Sequence, residues 1–405
     1  MANILVIGGG PAGLSSAIFA SSKKNKVTLI ERNSSCGKKL LLTGNGKCNY
    51  WNEDQSLSHF HSDDASILEQ IITPANLEET WEFLKRIGII PYIRNGYYYP
   101  FSNQAFTMKE ALLIECKKRN VTILKNEKVE KIEKKETKFI VQTTSTTYIF
   151  DKVVLASGSK AMPKTGSDGE GYTLAKSLGH TVTNITPSLV QIILDFPELK
   201  KWAGIRTQAK VSLYEKNKKW KEETGELQLT DYGVSGICIF NLSRYIGRNP
   251  KNEFQLEINF LPFLDKNGLE FLENQNKLVK NRTIGELLES ILHYKLVEIL
   301  LKMCQIPYNA KWSELKPNKK EKLVELLTKN RIKVIGTKSF DTSQVCAGGV
   351  NLNEINPTTL ESKKTKNLFI AGELLDIDGD CGGYNLMIAF LTGVLAGKGA
   401  CEEVD

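Results

Sequence analysis

Residues 4–7 (Ile-Leu-Val-Ile) run straight into Gly8-Gly9-Gly10-Pro11-Ala12-Gly13, and no other stretch restricts the possible folds as tightly. A continuous apolar run of this kind suits a strand buried on both faces of a parallel sheet. Ser15, Ser16, Ala17 and Ala20 are small enough for a helix to lie close on that sheet, and Lys26 to Glu31 returns as a second strand. The product is a βαβ unit, whose crossover is right-handed. The glycines of the GxGxxG pattern serve different ends. Gly8 makes the tight turn, Gly10 admits a diphosphate, and Gly13 lets the helix pack on the sheet. The helix opening at Pro11 and Ala12 offers unpaired amides and a partial positive charge to phosphates. Glu31 ends the second strand, where it accepts hydrogen bonds from both hydroxyls of an unmodified ribose. An ADP moiety is expected here, and NAD and FAD both satisfy the pattern.

The far end of the chain turns the expectation towards FAD. Asn367 to Ala371 reads as a strand ending in Gly372-Glu373, and Gly382-Gly383 opens a helix-like tail from Tyr384 to Gly399. A nicotinamide dehydrogenase has no need of these elements. In a flavin enzyme the strand-end carboxylate binds the ribityl chain, and the helix N-terminus faces the ring that gathers negative charge on reduction. Another strand, Lys152 to Leu155, precedes Ala156-Ser157-Gly158. Gly166 to Gly171 (GSDGEG) lacks the spacing of a second dinucleotide turn, so NAD(P)H is expected only as a transient donor against the flavin face.

Between these ends the chain changes character. Residues 189–260 alternate apolar and polar over short stretches, as in Ala209-Lys210-Val211-Ser212-Leu213-Tyr214, which predicts antiparallel strands and a β-rich insert over 189–268 and 331–346. Within them, residues 269–330 place Leu287, Leu288, Ile291, Leu292, Leu296, Ile299 and Leu300 at helical spacing. The fold class is therefore α/β: a Rossmann-like, discontinuous FAD-binding domain (1–188 and 347–405) interrupted by a β-rich insert with a helical subdomain. Of the net charge of +8, residues 189–345 carry +7. That excess is either a solvated lysine surface or a surface for phosphates, with Lys216, Lys218, Lys219, Lys221, Lys316, Lys319, Lys320 and Lys322 as the contacts. No uninterrupted apolar run approaches the roughly 18 to 20 residues that span a bilayer, and no signal peptide is read, so a cytoplasmic protein without a membrane partner is expected. The eight cysteines contain no CxxC pair and the four histidines are scattered, so neither a disulfide nor a metal site is expected.

Several blocks together resemble the BaiN, RdsA and aminoacetone-oxidase group of bacterial NAD(P)/FAD-dependent oxidoreductases. They are Gly8 to Leu14, Lys38 to Asn49 (KKLLLTGNGKCN), Tyr99-Pro100 with Ala105, Ala156 to Gly158, Gly166 to Tyr172, Gly348 to Val350, and Gly372 to Asn385. They span essentially the whole chain in order; the TGNGKCN and CGGYN blocks are specific, whereas GGGPAGL is common to many flavoproteins. Lys47 stands where that group often has Arg, which keeps the charge and loses a planar fork. The residues assigned to the cofactor are Gly8, Gly10, Pro11, Ala12, Gly13, Glu31, Arg32, Lys39, Gly44, Asn45, Gly46, Val129, Ala156, Gly158, Gly372, Glu373, Gly382, Gly383, Tyr384 and Asn385. Cys48 is the candidate proton donor, because an ordinary thiol can act as a general acid at neutral pH.

The resemblance implies reduction of a carbon–carbon double bond conjugated to a carbonyl, with hydride passing from NAD(P)H through the flavin. The substrate is then a uridine of ribosomal RNA or a 3-oxo-Δ4 steroid-like enone, and the basic insert favours RNA. Two other readings stay open: oxidation of a small amine such as aminoacetone, and a non-catalytic, flavin-stabilised RNA-binding module.

Overall fold

A five-stranded parallel sheet organises the two ends of the chain. Its strands are β1 (Ala2–Ile7), β2 (Asn25–Glu31), β3 (Thr122–Lys125), β4 (Lys152–Leu155) and β5 (Leu368–Ile370), in the spatial order β5-β4-β1-β2-β3. Ile4, Leu5, Val6, Val153, Val154, Leu155, Leu368 and Ile370 are fully buried, as a parallel sheet covered on both faces requires. The computed structural model describes residues 2–22, 24–264 and 267–402. They form two units, Met1–Pro187 with Phe340–Asp405, and Ser188–Ser339.

In the first unit the helix α1 (Pro11–Ala20) follows β1, and the last helix, α2 (Tyr384–Cys401), packs directly on it. The contact is made by backbone. A Cβ on Gly393 would lie 2.5 Å from the Ala12 carbonyl oxygen, and one on Gly397 2.6 Å from that of Ser16. The Ser16 hydroxyl donates across the gap to the Gly393 carbonyl oxygen at 3.0 Å. By length and composition α2 is apolar enough to cross a membrane, but 78% of that stretch is buried inside the protein.

The second unit is a closed barrel of six strands, Ile192–Asp195, Gly233–Ser235, Lys218–Leu229, Arg206–Glu215, Phe254–Asn259 and Asn330–Thr337 in spatial order. Ala209, Val211, Leu213, Leu227, Leu229, Leu256 and Ile258 fill it. Helices Gly268–Leu278, Ile284–Glu289, Tyr294–Met303 and Pro317–Thr328 form the helical part.

Two details differ from the sequence reading. Residues 340–346 lie with the first unit: the Met162 amide donates to the Phe340 carbonyl oxygen at 2.9 Å, and Lys160 Nζ sits 4.8 Å from the centre of the Phe340 ring. Ile237–Arg248 is a helix within a stretch read as strands. Its buried Cys238, Ile239, Leu242 and Ile246 have helical spacing, which the neighbouring strand alternation masked.

Gly393→Val places a branched side chain where α1 and α2 touch. It is expected to cost about 1–3 kcal/mol of stability, measured by chemical unfolding of the purified protein.

Candidate functional site

The turn between β1 and α1 is shaped by its glycines. Gly8 has φ +106°, and a Cβ there would lie 2.4 Å from the Ala156 carbonyl oxygen. A Cβ on Gly13 would be 1.8 Å from the Gly8 carbonyl oxygen, so helix and turn touch main chain to main chain. Gly10 is the opposite case: it caps α1 with φ −81°, and a Cβ there would meet nothing within 4 Å. Among the described residues no side chain caps α1, and its first turn holds no acidic residue. A helix start with neither cap nor acid leaves amides and about half a positive charge for an outside anion. The diphosphate of a dinucleotide fits that opening.

Glu31 is buried and works on this turn as well as beside it. Its Oε2 accepts from the Gly9 amide at 2.8 Å, and its Oε1 from the amide and side chain of Asn33, both at 2.7 Å. Because each carboxylate oxygen accepts more than one hydrogen bond, Oε2 has capacity for a ribose hydroxyl. The amides of Asn126 and Glu127 donate to the carbonyls of Asn33 and Glu31, and the chain leads from there to the buried Val129. Arg32 is held by Asp168 at 2.5 Å.

On the other side of α1, Gly372 has φ +74° and donates its amide to Thr392 Oγ1 at 2.9 Å. A Cβ on Gly372 would lie 2.8 Å from that of Ala12, so the Gly372-Glu373 corner abuts the α1 N-terminus. Glu373 accepts from Lys39 Nζ at 2.6 Å and from Ser159 Oγ at 2.7 Å. Gly158 takes φ +80° beside the buried Ala156, and the buried Ser157 hydroxyl has no hydrogen-bond partner among the described residues. It packs against Gly171, where a Cβ would lie 2.0 Å from its oxygen.

The loop after Lys39 winds tightly: Gly44, Asn45, Gly46 and Cys48 have φ of 57°, 54°, 85° and 61°. Gly44 approaches Tyr99, for a Cβ there would lie 3.7 Å from its ring. Cys48 is fully buried, and burial pushes its thiol up to about 12 although a hydrogen bond with Thr43 works against the rise. A thiol held there gives up its proton poorly at neutral pH.

At the start of α2, Gly382 and Gly383 have φ of 144° and 101°. A Cβ on Gly383 would lie 2.6 Å from the Trp51 carbonyl oxygen, and Asn52 Nδ2 donates to the Gly382 carbonyl at 2.9 Å. The Asn385 side chain bonds both the amide and the carbonyl of Gly379. Among the described residues α2 also lacks a capping side chain and a first-turn acid. Here the structure adds residues that the sequence reading missed. Asp380 is buried and bridges two histidines, His59 Nδ1 at Oδ2 and His61 Nε2 at Oδ1, each at 3.0 Å. Burial works against charge on His59, and hydrogen bonds to Asp380 and Asp54 outweigh it, so its imidazolium is held above the usual range. The only trace of this cluster in the sequence is the alternation of His59 with His61 and of Asp376, Asp378 and Asp380.

A second histidine network has triad-like order but no access. His180 meets Glu354 at 3.0 Å and Ser362 at 2.8 Å; all three are buried, and the Ser362 hydroxyl accepts from the amides of Lys364 and Thr365, capping a turn. Among the described residues no group of three or more His, Cys, Asp and Glu is placed to hold a metal. Several lysines of the basic insert have internal partners. Lys219 and Lys221 pair with Glu222 and Glu223, Lys319 donates to the carbonyls of Cys304 and Gln305, and Lys218 and Lys320 lie over Trp220 and Trp312.

Comparison with known proteins agrees with this geometry. The family described as HI0933-like protein Rossmann domain matches residues 2–399. The chain is 38% identical, over all of both chains, to the 3-dehydro-bile acid delta(4,6)-reductase of Clostridium scindens. It is 28% identical to the ribosomal RNA dihydrouridine synthase of Escherichia coli, over 95% of this chain and 94% of that one. Among solved structures, the 3-ketosteroid-delta4-(5alpha)-dehydrogenase of Rhodococcus jostii shares the fold, with a TM-score of 0.51 over 99% of this chain and 97% of that one at 15% identity.

Gly10→Val is expected to leave unfolding free energy within about 0.5 kcal/mol, since its Cβ enters open space, while weakening FAD binding by about tenfold or more. Gly13→Val, aimed at backbone, is expected to cost about 1–3 kcal/mol in the same unfolding assay. Iodoacetamide at about pH 8 is expected to leave Cys48 unmodified in the native protein and to alkylate it on unfolding, read by peptide mass mapping.

Proposed function

The chain belongs to the HI0933-like Rossmann-domain family and is an FAD-dependent oxidoreductase of carbon–carbon double bonds; from that premise we propose that it reduces the conjugated double bond of a 3-oxo-Δ4 steroid-like ketone, with NAD(P)H as donor. The observation that carries this reading is the 38% identity to a bile-acid reductase across the full length of both chains. Bound FAD supplies hydride transfer at its N5.

The residues of the chain hold and polarise. The open N-terminus of α1 would take the diphosphate, with Gly10 admitting it, and Glu31, which clamps the Gly9 amide, would take a ribose hydroxyl. Glu373, oriented by Lys39 and Ser159, would hold the ribityl chain. The uncapped start of α2 would offer its amides and positive end to the flavin ring, which gains negative charge on reduction. Burial pushes the Cys48 thiol up to about 12, which keeps it protonated at neutral pH.

Reduction of a ribosomal uridine is the same chemistry on another ring, supported by the 28% identity to a dihydrouridine synthase and the net +7 of residues 189–345. Against it stand the internal partners of Lys219, Lys221 and Lys319, which engage their charge within the chain.

One experiment separates the readings. Under anaerobic conditions NADH or NADPH is expected to bleach the flavin, and a 3-oxo-Δ4 steroid is expected to restore its colour. A reduced flavin that oxygen re-oxidises but the enone does not, with the steroid unchanged by mass spectrometry, refutes the proposal. Dihydrouridine appearing in ribosomal RNA treated with the enzyme and NADPH would establish the RNA reading instead.

A further inference from the structure

His59 packs on the start of α2, and both nitrogens and one face of its ring are engaged. Nδ1 is 3.0 Å from Asp380 Oδ2, and Nε2 is 3.0 Å from Asp54 Oδ2. A carboxylate accepts and does not donate, so a ring bonded to one at each nitrogen must carry a proton on both. Its flat face stacks on Tyr384, the first residue of α2, with ring centres 4.6 Å apart and planes within 16°. Charged and titratable groups therefore face His59 from three elements: Asp54 from the turn before it, Asp380 from the loop leading to Gly382, and Tyr384 from α2. His61 stands behind Asp380, on its other oxygen.

Asp380 is the group that makes this arrangement consequential. It is 5% exposed and two residues before Gly382, beside the helix start that must stabilise negative charge on the reduced cofactor. An uncompensated carboxylate in that position opposes reduction, because a buried charge acts through a low dielectric. Protonated His59 cancels it.

We propose that the His59–Asp380 pair sets the reduction potential of the bound flavin in a pH-dependent way: the protonated imidazole neutralises Asp380, and loss of that proton leaves a negative charge that makes FAD harder to reduce. His59 acts through Asp380 and Tyr384 and is a positioning residue. The inference rests on the FAD reading above and goes beyond it by naming what regulates the cofactor. The direction of the His59 shift agrees, since its bonds to Asp380 and Asp54 keep the ring charged above the ordinary histidine range. The potential therefore holds its higher value at low pH and falls as pH rises through the titration of His59.

The test is a spectroelectrochemical titration of the flavin-loaded protein from about pH 6 to about pH 9, the range in which histidines change charge. His59→Gln is expected to lower the midpoint potential at the acid end, and its curve is expected to meet the wild-type curve at the alkaline end. Asp380→Asn is expected to raise the potential and flatten the difference. Should either variant fail to fold, Asp54→Asn at the surface removes one acceptor, and the point of divergence is expected to move to lower pH. Parallel wild-type and His59→Gln curves overturn the proposal. So does a neutral His59 at about pH 7 in ring-nitrogen NMR, a spectrum simplified by the presence of only four histidines. Protein that takes up no FAD removes the premise and overturns both readings, whereas flavin-loaded protein with parallel curves overturns this one alone.

Discussion

Two helices from opposite ends of the chain lie backbone against backbone, and the site exists because they do. Gly393 and Gly397 of α2 leave no room for a side chain against Ala12 and Ser16 of α1, and the Ser16 hydroxyl crosses the interface. Close approach of this kind fixes the relative position of both helix starts. Since neither start is capped by a side chain among the described residues, the contact yields a pair of positive helix ends on one scaffold. The barrel unit, Ser188–Ser339, enters the sequence between these helices and leaves their contact intact.

Helix ends without caps are ordinarily a weakness of about 1 kcal/mol each. Here the chain's carboxylates are deployed to leave those ends open. Glu31 turns to the Gly9 amide and to Asn33, and Glu373 turns to Lys39 and Ser159. Asp380 is taken up by His59 and His61. Each of these acidic groups near a positive helix end is thus tied to a donor of its own. The field at the helix starts is left to act on a ligand, in which charge is gained and lost during turnover.

Where the sequence reading and the structure part, the cause is what folding places around each side chain. Cys48 reads as an acid because an isolated thiol titrates within reach of neutral pH; burial, which no local pattern announces, pushes it up to about 12. The lysines at 216–221 and 316–322 read as a surface for phosphates because charge sums add. In the folded insert Lys219 and Lys221 find acceptors on their own strand, at Glu222 and Glu223, and Lys319 finds one at the end of a helix. Residues 340–346 read as insert by composition, yet Phe340 is held by Met162 and Lys160.

From the residues alone followed the parallel sheet, the two glycine turns, the interrupted domain and the need for an adenine dinucleotide. These rest on interactions between neighbours in sequence, where steric rules for Gly8, Gly10, Gly13 and Gly382 act within a few bonds. Tertiary structure alone decided which helix ends stay open, which thiol is shut away, and that His59, Asp380 and Tyr384 meet. Those are matters of burial and of charge over a few ångströms between residues hundreds of positions apart, and a linear chain carries no record of that distance.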